Sequence, residues 1–460
     1  MSTGACSRLG RTWRGARRRT YLPGDDKVIW DPHHECMDVE ERRGLQLRRL
    51  RETVARVAVS VPLYRDRLRE SGVDPCDLTS IDDLRSLPFT VKTDFLDTYP
   101  NGLFAVPPEE VVRIHGSSGT RGRPTLVGYT REDVGIWAEV MARTLGCAGG
   151  TSHDVLQIAY GYGLFTGGLG LHYGGERLGC TVVPMSAGNT RRQLALMRDL
   201  GATLLACTPS YALTLAEEAR DTGIAPGDLR LRSGLFGAEP WSDGMREIIE
   251  ERLGLQAYDI YGLSEVIGPG VAAECSDRGG LHVFDDHFIP EIVDPSTGEP
   301  VADGEAGELV FTCVTKRCLP LIRYRTGDIS RLSHEPCSCG RTHARMGRIT
   351  GRTDDMLIIR GVNVFPSQIE DVLTRVAGVE PQYRIIVSRE GHRDALEVEV
   401  ELSLQMFSDT IRGLESLEAK ITEELRAVLS LTAKVRLVEP QTLERSMGKA
   451  QRVIDKRQGE

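Results

Sequence analysis

Between residues 28 and 86 the apolar positions Leu45, Leu47, Leu50, Val54 and Val57 recur near the 3.6-residue spacing of a helix until Pro62 interrupts them. This stretch predicts an N-terminal helical cap. From Val111 to Thr326, short β-rich runs (Asp154–Ile158, Thr181–Val183, Thr203–Cys207, Ser233–Phe236 and Gln256–Ile260) alternate with helical stretches. Such alternation predicts a layered α/β core with largely parallel strands, whose strand ends are where phosphate-handling loops belong. After Gly351 the period changes. Met356–Ile359 is apolar, Tyr383–Val387 is β-rich after Pro381, and Leu396, Val398, Val400 and Leu402 alternate as in a half-buried strand. Asp409–Leu431 sets Ile411, Leu414, Leu417, Ile421, Leu425 and Val428 on one helical face, and Lys434–Val438 reads as a closing strand. The expected architecture is a large layered α/β N-terminal domain (25–350) plus a small mobile α+β C-terminal domain (351–460), joined through Thr326–Gly351, which is rich in Gly, Ser and Cys.

Composition narrows the function. A chain of 460 residues with 40% apolar positions has material for a real core, and 27% charged residues with no apolar run of eighteen leave nothing to span a bilayer. The net charge of -9 argues against a general polyanion binder, which would need clustered Lys and Arg. Residues 1–24 are set apart as a disordered Arg-rich leader: Met1–Thr20 carries six arginines and no acid, and lacks the apolar core of a secretory signal. Eleven scattered cysteines suit a reducing cytoplasm better than a disulfide framework. Only seven of the 57 basic residues are lysine, so a lysine within a motif stands out, and Lys449 is one.

Three clusters carry chemistry. Ser117-Ser118-Gly119-Thr120-Arg121-Gly122-Arg123-Pro124-Thr125 follows a short β run, and its small residues let N–H groups and hydroxyls close around phosphate oxygens. It is not a Walker A loop, because Arg123-Pro124 stands where Lys-Ser/Thr is required. Tyr258-Asp259-Ile260-Tyr261-Gly262-Leu263-Ser264-Glu265 ends a strand with a turn and an acid able to hold Mg²⁺. Arg323-Tyr324-Arg325-Thr326-Gly327-Asp328 offers a carboxylate at a glycine turn, suited to a ribose diol.

These clusters stand in order with Gly351-Arg352-Thr353-Asp354-Asp355-Met356 and Arg445-Ser446-Met447-Gly448-Lys449-Ala450. Gly161-Tyr162-Gly163-Leu164-Phe165, Thr208-Pro209-Ser210-Tyr211 and Phe236-Gly237-Ala238-Glu239-Pro240-Trp241 add local phrases. The set resembles the adenylate-forming superfamily of acyl-CoA synthetases, adenylation domains and luciferases, and most closely its phenylacetate-CoA ligase branch. That resemblance implies ATP and Mg²⁺ as cofactors. It implies that Ser117, Ser118, Gly119, Thr120, Arg121, Gly122 and Arg123 grip phosphates, that Glu265 holds Mg²⁺, that Asp328 and Arg352 take the ribose, and that Lys449 is the adenylation lysine. Ala238, Glu239 and Pro240, with Asp259, Tyr261 and Gly262, would flank adenine. Tyr160, Phe165, Gly237 and Ile260 would wall an aryl-acid pocket, and Asp354 would be the hinge. Arg121 and Arg123 depart from the Thr and Lys of many relatives, and a guanidinium fork does not repeat the geometry of an ammonium.

Cys275, His282, Cys337 and Cys339 form a further cluster, three thiols and an imidazole being a common zinc set. The spacing is not that of a zinc finger, and Cys313, Cys318, His287, His334 and His343 could substitute. The resemblance favours a structural Zn²⁺ here. The leading expectation is an aryl-acid:CoA ligase working through an acyl-adenylate in the cytoplasm, with no membrane or nucleic-acid partner and with a homodimer left open. One rival delivers the acyl group to the phosphopantetheine of a separate carrier protein in natural-product assembly. A remote one is a zinc-stabilised nucleic-acid-binding protein.

Overall fold

The computed structural model describes residues 28–117, 123–353, 355–360, 362–390, 393–407 and 411–459, so the expected leader lies outside the described residues. After the short helix Pro32–Glu35, the first long helix of the cap is Val39–Ser60, where the Asp38 carboxylate accepts the N–H groups of Glu40 and Glu41. Pro62 ends it by opening the next helix, Pro62–Ser71, at a position that needs no N–H donor. The buried stripe of the first long helix is Arg42, Gln46, Leu50, Thr53, Val54 and Val57, not the leucines at 45 and 47, which are half-buried. This differs from the apolar spacing for a physical reason: the helix packs on loop backbone that needs donors. Gln46 donates to the Asp285 carbonyl, Thr53 to that of Val314 and Arg42 to that of Thr342.

Among the described residues the central sheet has nine strands. Thr181–Val183, Val155–Ile158, Leu204–Cys207, Ser233–Gly237 and Gln256–Leu263 lie parallel and side by side. Gly268–Glu274, Leu281–Val283, Arg345–Met346 and Leu332–Ser333 continue it antiparallel. The inner parallel strands are almost wholly buried, as strands covered on both faces must be. A four-stranded antiparallel sheet of Phe288–Val293, Gly307–Cys313, Tyr324–Ser330 and Gly351–Arg352 packs alongside, so this sheet extends two residues past the expected break at 350.

The C-terminal unit has its own core, built between Leu357 and Val435. Its sheet order is Lys434–Val438, Arg393–Leu402, Val379–Glu390, Val453–Asp455, antiparallel at the centre and parallel at both edges. The helix Ile411–Leu429 buries Leu417, Ile421, Leu425 and Leu429, whereas Val428, expected on that face, is 47% exposed. The mixed α/β large domain and α+β small domain are thus the predicted fold class. Among the described residues no helix is long and apolar enough to cross a membrane, and the described cysteines are free thiols.

One buried ion pair braces the strand that carries Asp259. Arg246 grips Glu274 through two contacts of 2.8 and 3.1 Å, and the same carboxylate accepts the Asp259 N–H at 3.0 Å. Removing one partner strands the other charge in a dry site. Glu274→Ala is therefore expected to destabilise the protein by about 3–5 kcal/mol, read as a lowered denaturant midpoint.

Candidate active site

The carboxyl ends of Ser233–Gly237 and Gln256–Leu263 open into a cavity lined by Ala238, Glu239, Pro240, Trp241, Asp259, Ile260, Tyr261, Gly262 and Leu263. Asp328, Arg348 and Arg352 line it from the second sheet and its connection, and Lys449 reaches it from the small domain. Residues widely separated in the chain, among them Ala238, Glu239, Asp259, Tyr261, Asp328 and Arg352 of the expected nucleotide set, thus share one space. The backbone is strained where it turns: Ala238 holds a left-handed φ of 71° between the strand and Glu239. Gly262 is required for another reason, because a Cβ there would come within 2.1 Å of the Gly268 carbonyl oxygen.

Asp328 was expected on a turn, yet it lies within the strand Tyr324–Ser330. A register shift against Gly307–Cys313 and the left-handed φ of 76° at Gly327 form a bulge before it. A glycine-containing bulge and a glycine turn look alike in sequence. Buried at the bulge, the Asp328 carboxylate accepts the Tyr261 hydroxyl at 2.6 Å and Arg352 Nη1 at 2.5 Å. Asp259 is also buried, which pushes its carboxyl up, while Arg348 Nε donates to it at 3.2 Å and opposes the rise.

Glu265 follows in the turn after Leu263 and is buried. Its carboxylate accepts the Ser117 hydroxyl at 3.1 Å, which joins the phosphate-loop cluster to the acid. Beneath it, Lys316 is fully buried, donates Nζ to the Glu265 carbonyl at 3.2 Å and lies 4.6 Å from the Tyr129 ring centroid. Burial pushes the Lys316 ammonium pKa down. A carboxylate beside a hydroxyl is a donor set that suits Mg²⁺. Ser118, Gly119, Thr120, Arg121 and Gly122 lie outside the described residues, as does Asp354. Arg123 is exposed, its guanidinium 5.4 Å from the Tyr99 ring.

The expected aryl walls separate into two groups. Ile260 lines the cavity; Tyr160 is buried nearby and donates its hydroxyl to the Gly237 carbonyl at 3.3 Å. Phe165 is 61% exposed and does not line the cavity, which corrects the expectation for that residue in this arrangement. The loop explains it. The Leu164 carbonyl is tied to the Gly116 N–H at 2.9 Å and Thr166 turns inward to Ser264 at 3.2 Å, so the residue between them points out.

Cys275, His282, Cys337 and Cys339 converge behind the cavity, with all four ligand atoms within 4.8 Å of one another. Cys275 and Cys337 sulfurs are 3.7 Å apart, and His282 Nε2 lies 3.3 Å from Cys275 Sγ and 3.4 Å from Cys339 Sγ. Tetrahedral Zn²⁺ with ordinary bond lengths sets S···S edges of about 3.8 Å and S···N edges of about 3.6 Å, so the donors fit that ion. The Arg341 N–H also points at Cys339 Sγ, as support for a thiolate requires. Of the substitutes, Cys313 lies against Val266, and Cys318 beside Gly128 and Phe104. Strand alternation links the two sites: Leu281 lines the cavity while its neighbour His282 enters the cluster.

The sequence did not single out Trp241 for a role or Arg348 at all. The Arg348 guanidinium lies 4.6 Å from the Trp241 ring centroid and donates to both Asp243 and Asp259. The one signal was an arginine in the junction, a segment read only as a connection.

The family model for AMP-binding enzymes matches residues 45–313, and that for the AMP-binding enzyme C-terminal domain matches 361–457. The chain is 50% identical to the phenylacetate-coenzyme A ligase of Thermus thermophilus over 94% of its own length and all of the relative's. It resembles a 2-hydroxyisobutyryl-CoA ligase crystal structure in the postadenylation state with a TM-score of 0.89, at 31% identity over 95% of this chain and 94% of the other. Against that ligase in complex with 2-HIB-AMP and CoA in the thioesterification state the TM-score is 0.70, at 32% identity and the same coverage. The motifs, the two-domain fold and these likenesses agree, and the chain belongs to the adenylate-forming AMP-binding enzymes, in the phenylacetate-coenzyme A ligase branch, as an AMP-forming acid–thiol ligase.

Proposed function

We propose that the protein joins an aryl carboxylic acid to CoA through an acyl-adenylate at this cavity. The observation that carries the reading is Lys449 of the small domain lining the same cavity as Glu239, Tyr261, Asp328 and Arg352. A carboxylate is a poor acylating agent, since its charge repels nucleophiles and oxide does not leave. ATP removes both obstacles. A carboxylate oxygen attacks the α-phosphorus in line, the bond to pyrophosphate breaks, and an acyl-adenylate forms. Lys449 stabilises the charge that develops on the α-phosphate and carboxylate oxygens. Asp328, kept oriented by Tyr261 and Arg352, accepts the ribose hydroxyls, and Ala238–Pro240 with Asp259–Gly262 flank the base. Glu265 and Ser117 would hold Mg²⁺, which supplies positive charge to the departing pyrophosphate. The thiol sulfur then attacks the acyl carbon, and AMP leaves with the electrons of the broken C–O bond.

Cys275, His282, Cys337 and Cys339 would hold Zn²⁺ with four protein ligands and no open position, a structural role beside the cavity wall. CoA is preferred over a carrier protein because the relatives matching nearly the whole chain are CoA ligases. The nucleic-acid reading is set aside: it leaned on the leader, and family membership accounts for the remaining motifs.

The acid class rests on the Tyr160 ring and the Ile260 side chain beside the Gly237 backbone, whose apolar surface favours an aromatic ring. Pyrophosphate release with phenylacetate-like and benzoate-like acids is expected to exceed that with octanoate. Faster turnover of octanoate than of every aryl acid would remove the pocket assignment and leave the adenylation chemistry standing.

A further inference from the structure

We propose that one face of the helix Pro209–Asp221 positions the Lys449 loop for adenylation, and that the ion pair between Glu217 and Arg445 is the charged contact holding that loop which breaks when the small domain moves on. This inference rests on Lys449 being the adenylation lysine. The loop 445–450 is tied to this helix and its cap at successive points. Thr208, the N-cap, donates its hydroxyl to the Gly448 carbonyl at 3.0 Å, and one turn into the helix Thr214 donates to the Ser446 carbonyl at 3.3 Å. Glu217, three residues further and so on the same face, accepts Arg445 Nε at 2.6 Å. At the other end of the loop the Ala450 N–H donates to Glu239 at 2.9 Å. Lys449 is thereby held on both sides with its own side chain left to the cavity.

The arrangement around Arg445 is asymmetric in a way that matters for release. Arg445 is gripped from within the small domain by Glu401, at 2.6 and 2.8 Å, and Glu401 is itself buried and fixed by the N–H groups of Gln441 and Leu443. That pair travels with the small domain. The Glu217 carboxylate belongs to the large domain, and its contacts with Arg445 Nε and with Gln382 Nε2 at 3.0 Å both cross the domain boundary. Rotation of the small domain therefore costs Glu217 both contacts while Arg445 keeps its partner. The closer likeness to the postadenylation state than to the thioesterification state places these contacts in the first arrangement. Glu217 and Arg445 are positioning residues: they act through Lys449 and touch no reacting atom.

The test separates the half-reactions. Acyl-adenylate formation is timed with ATP, Mg²⁺ and phenylacetate in the absence of CoA, and thioester formation is timed from supplied phenylacetyl-adenylate plus CoA. Glu217→Lys, which opposes Arg445 with a like charge, is expected to slow the first by about tenfold, the scale of one charged hydrogen bond. The second should hold its rate or rise, and the KM for ATP should stay within about twofold because the cavity is untouched. Glu217→Asp should restore most of the first rate. Equal loss in both halves, or no change in either, overturns the proposal. If Glu217→Lys does not fold, Glu217→Gln must show the same one-sided loss at smaller size, and its absence overturns the proposal equally. Lys449→Ala is run alongside. Unimpaired adenylation there defeats the lysine assignment itself, whereas lost adenylation there with no asymmetry at Glu217 defeats only the positioning role.

Discussion

Lys449→Ala is expected to lose acyl-adenylate formation by about a hundredfold to a thousandfold, the range for removing one preorganised donor from a developing oxyanion. The side chain lines the cavity from a loop anchored at Ser446, Gly448 and Ala450 by contacts its removal leaves in place. The loop, the fold and the nucleotide contacts should survive, so the KM for ATP should move far less than the rate. Thioester formation from supplied acyl-adenylate should persist, because in the proposed domain movement the lysine has left before that step. Loss of both steps to the same degree would assign the lysine a structural role.

The second large effect concerns the metal. Purified protein is expected to carry about one zinc per chain, as a single four-ligand site requires. Cys339→Ser should lower stability by about 4 kcal/mol or more, the class of effects that includes loss of a structural metal. Because Leu281 and Met346 line the cavity next to this cluster, the KM for ATP should rise in the variant while folded molecules keep their kcat. Metal-free protein of unchanged stability would make the cluster three reduced cysteines and a histidine buried together.

The fold was legible where one face of an element is apolar and regular. The parallel strands were predicted to within a residue at most ends: the inner ones are buried on both faces and read as short apolar runs, and the less buried edge strand Thr181–Val183 matched at both ends. Pattern failed where polar groups do the packing. Arg42, Gln46 and Thr53 occupy the buried stripe of the first long helix because backbone carbonyls of distant loops need donors, and apolar periodicity does not register that need. Asp328, Glu239 and Lys449, which the structure brings to one cavity, stood out in the sequence because each sits in a short distinctive string. Arg348 was missed because its role comes from stacking on Trp241 and pairing with Asp259, contacts made far along the chain. Phe165 shows the converse: its residue type suggested a wall, but the ties at Leu164 and Thr166 turn it outward. The clamp at Glu217 had no motif, since its partners belong to another domain.

The most direct test of the whole account is product identification with α-labelled ATP, Mg²⁺ and phenylacetate, first without CoA and then with it. The account predicts acid-dependent pyrophosphate and an enzyme-bound phenylacetyl-adenylate in the first case, and phenylacetyl-CoA with free AMP in the second. Formation of ADP, or AMP production that ignores the acid, would contradict it.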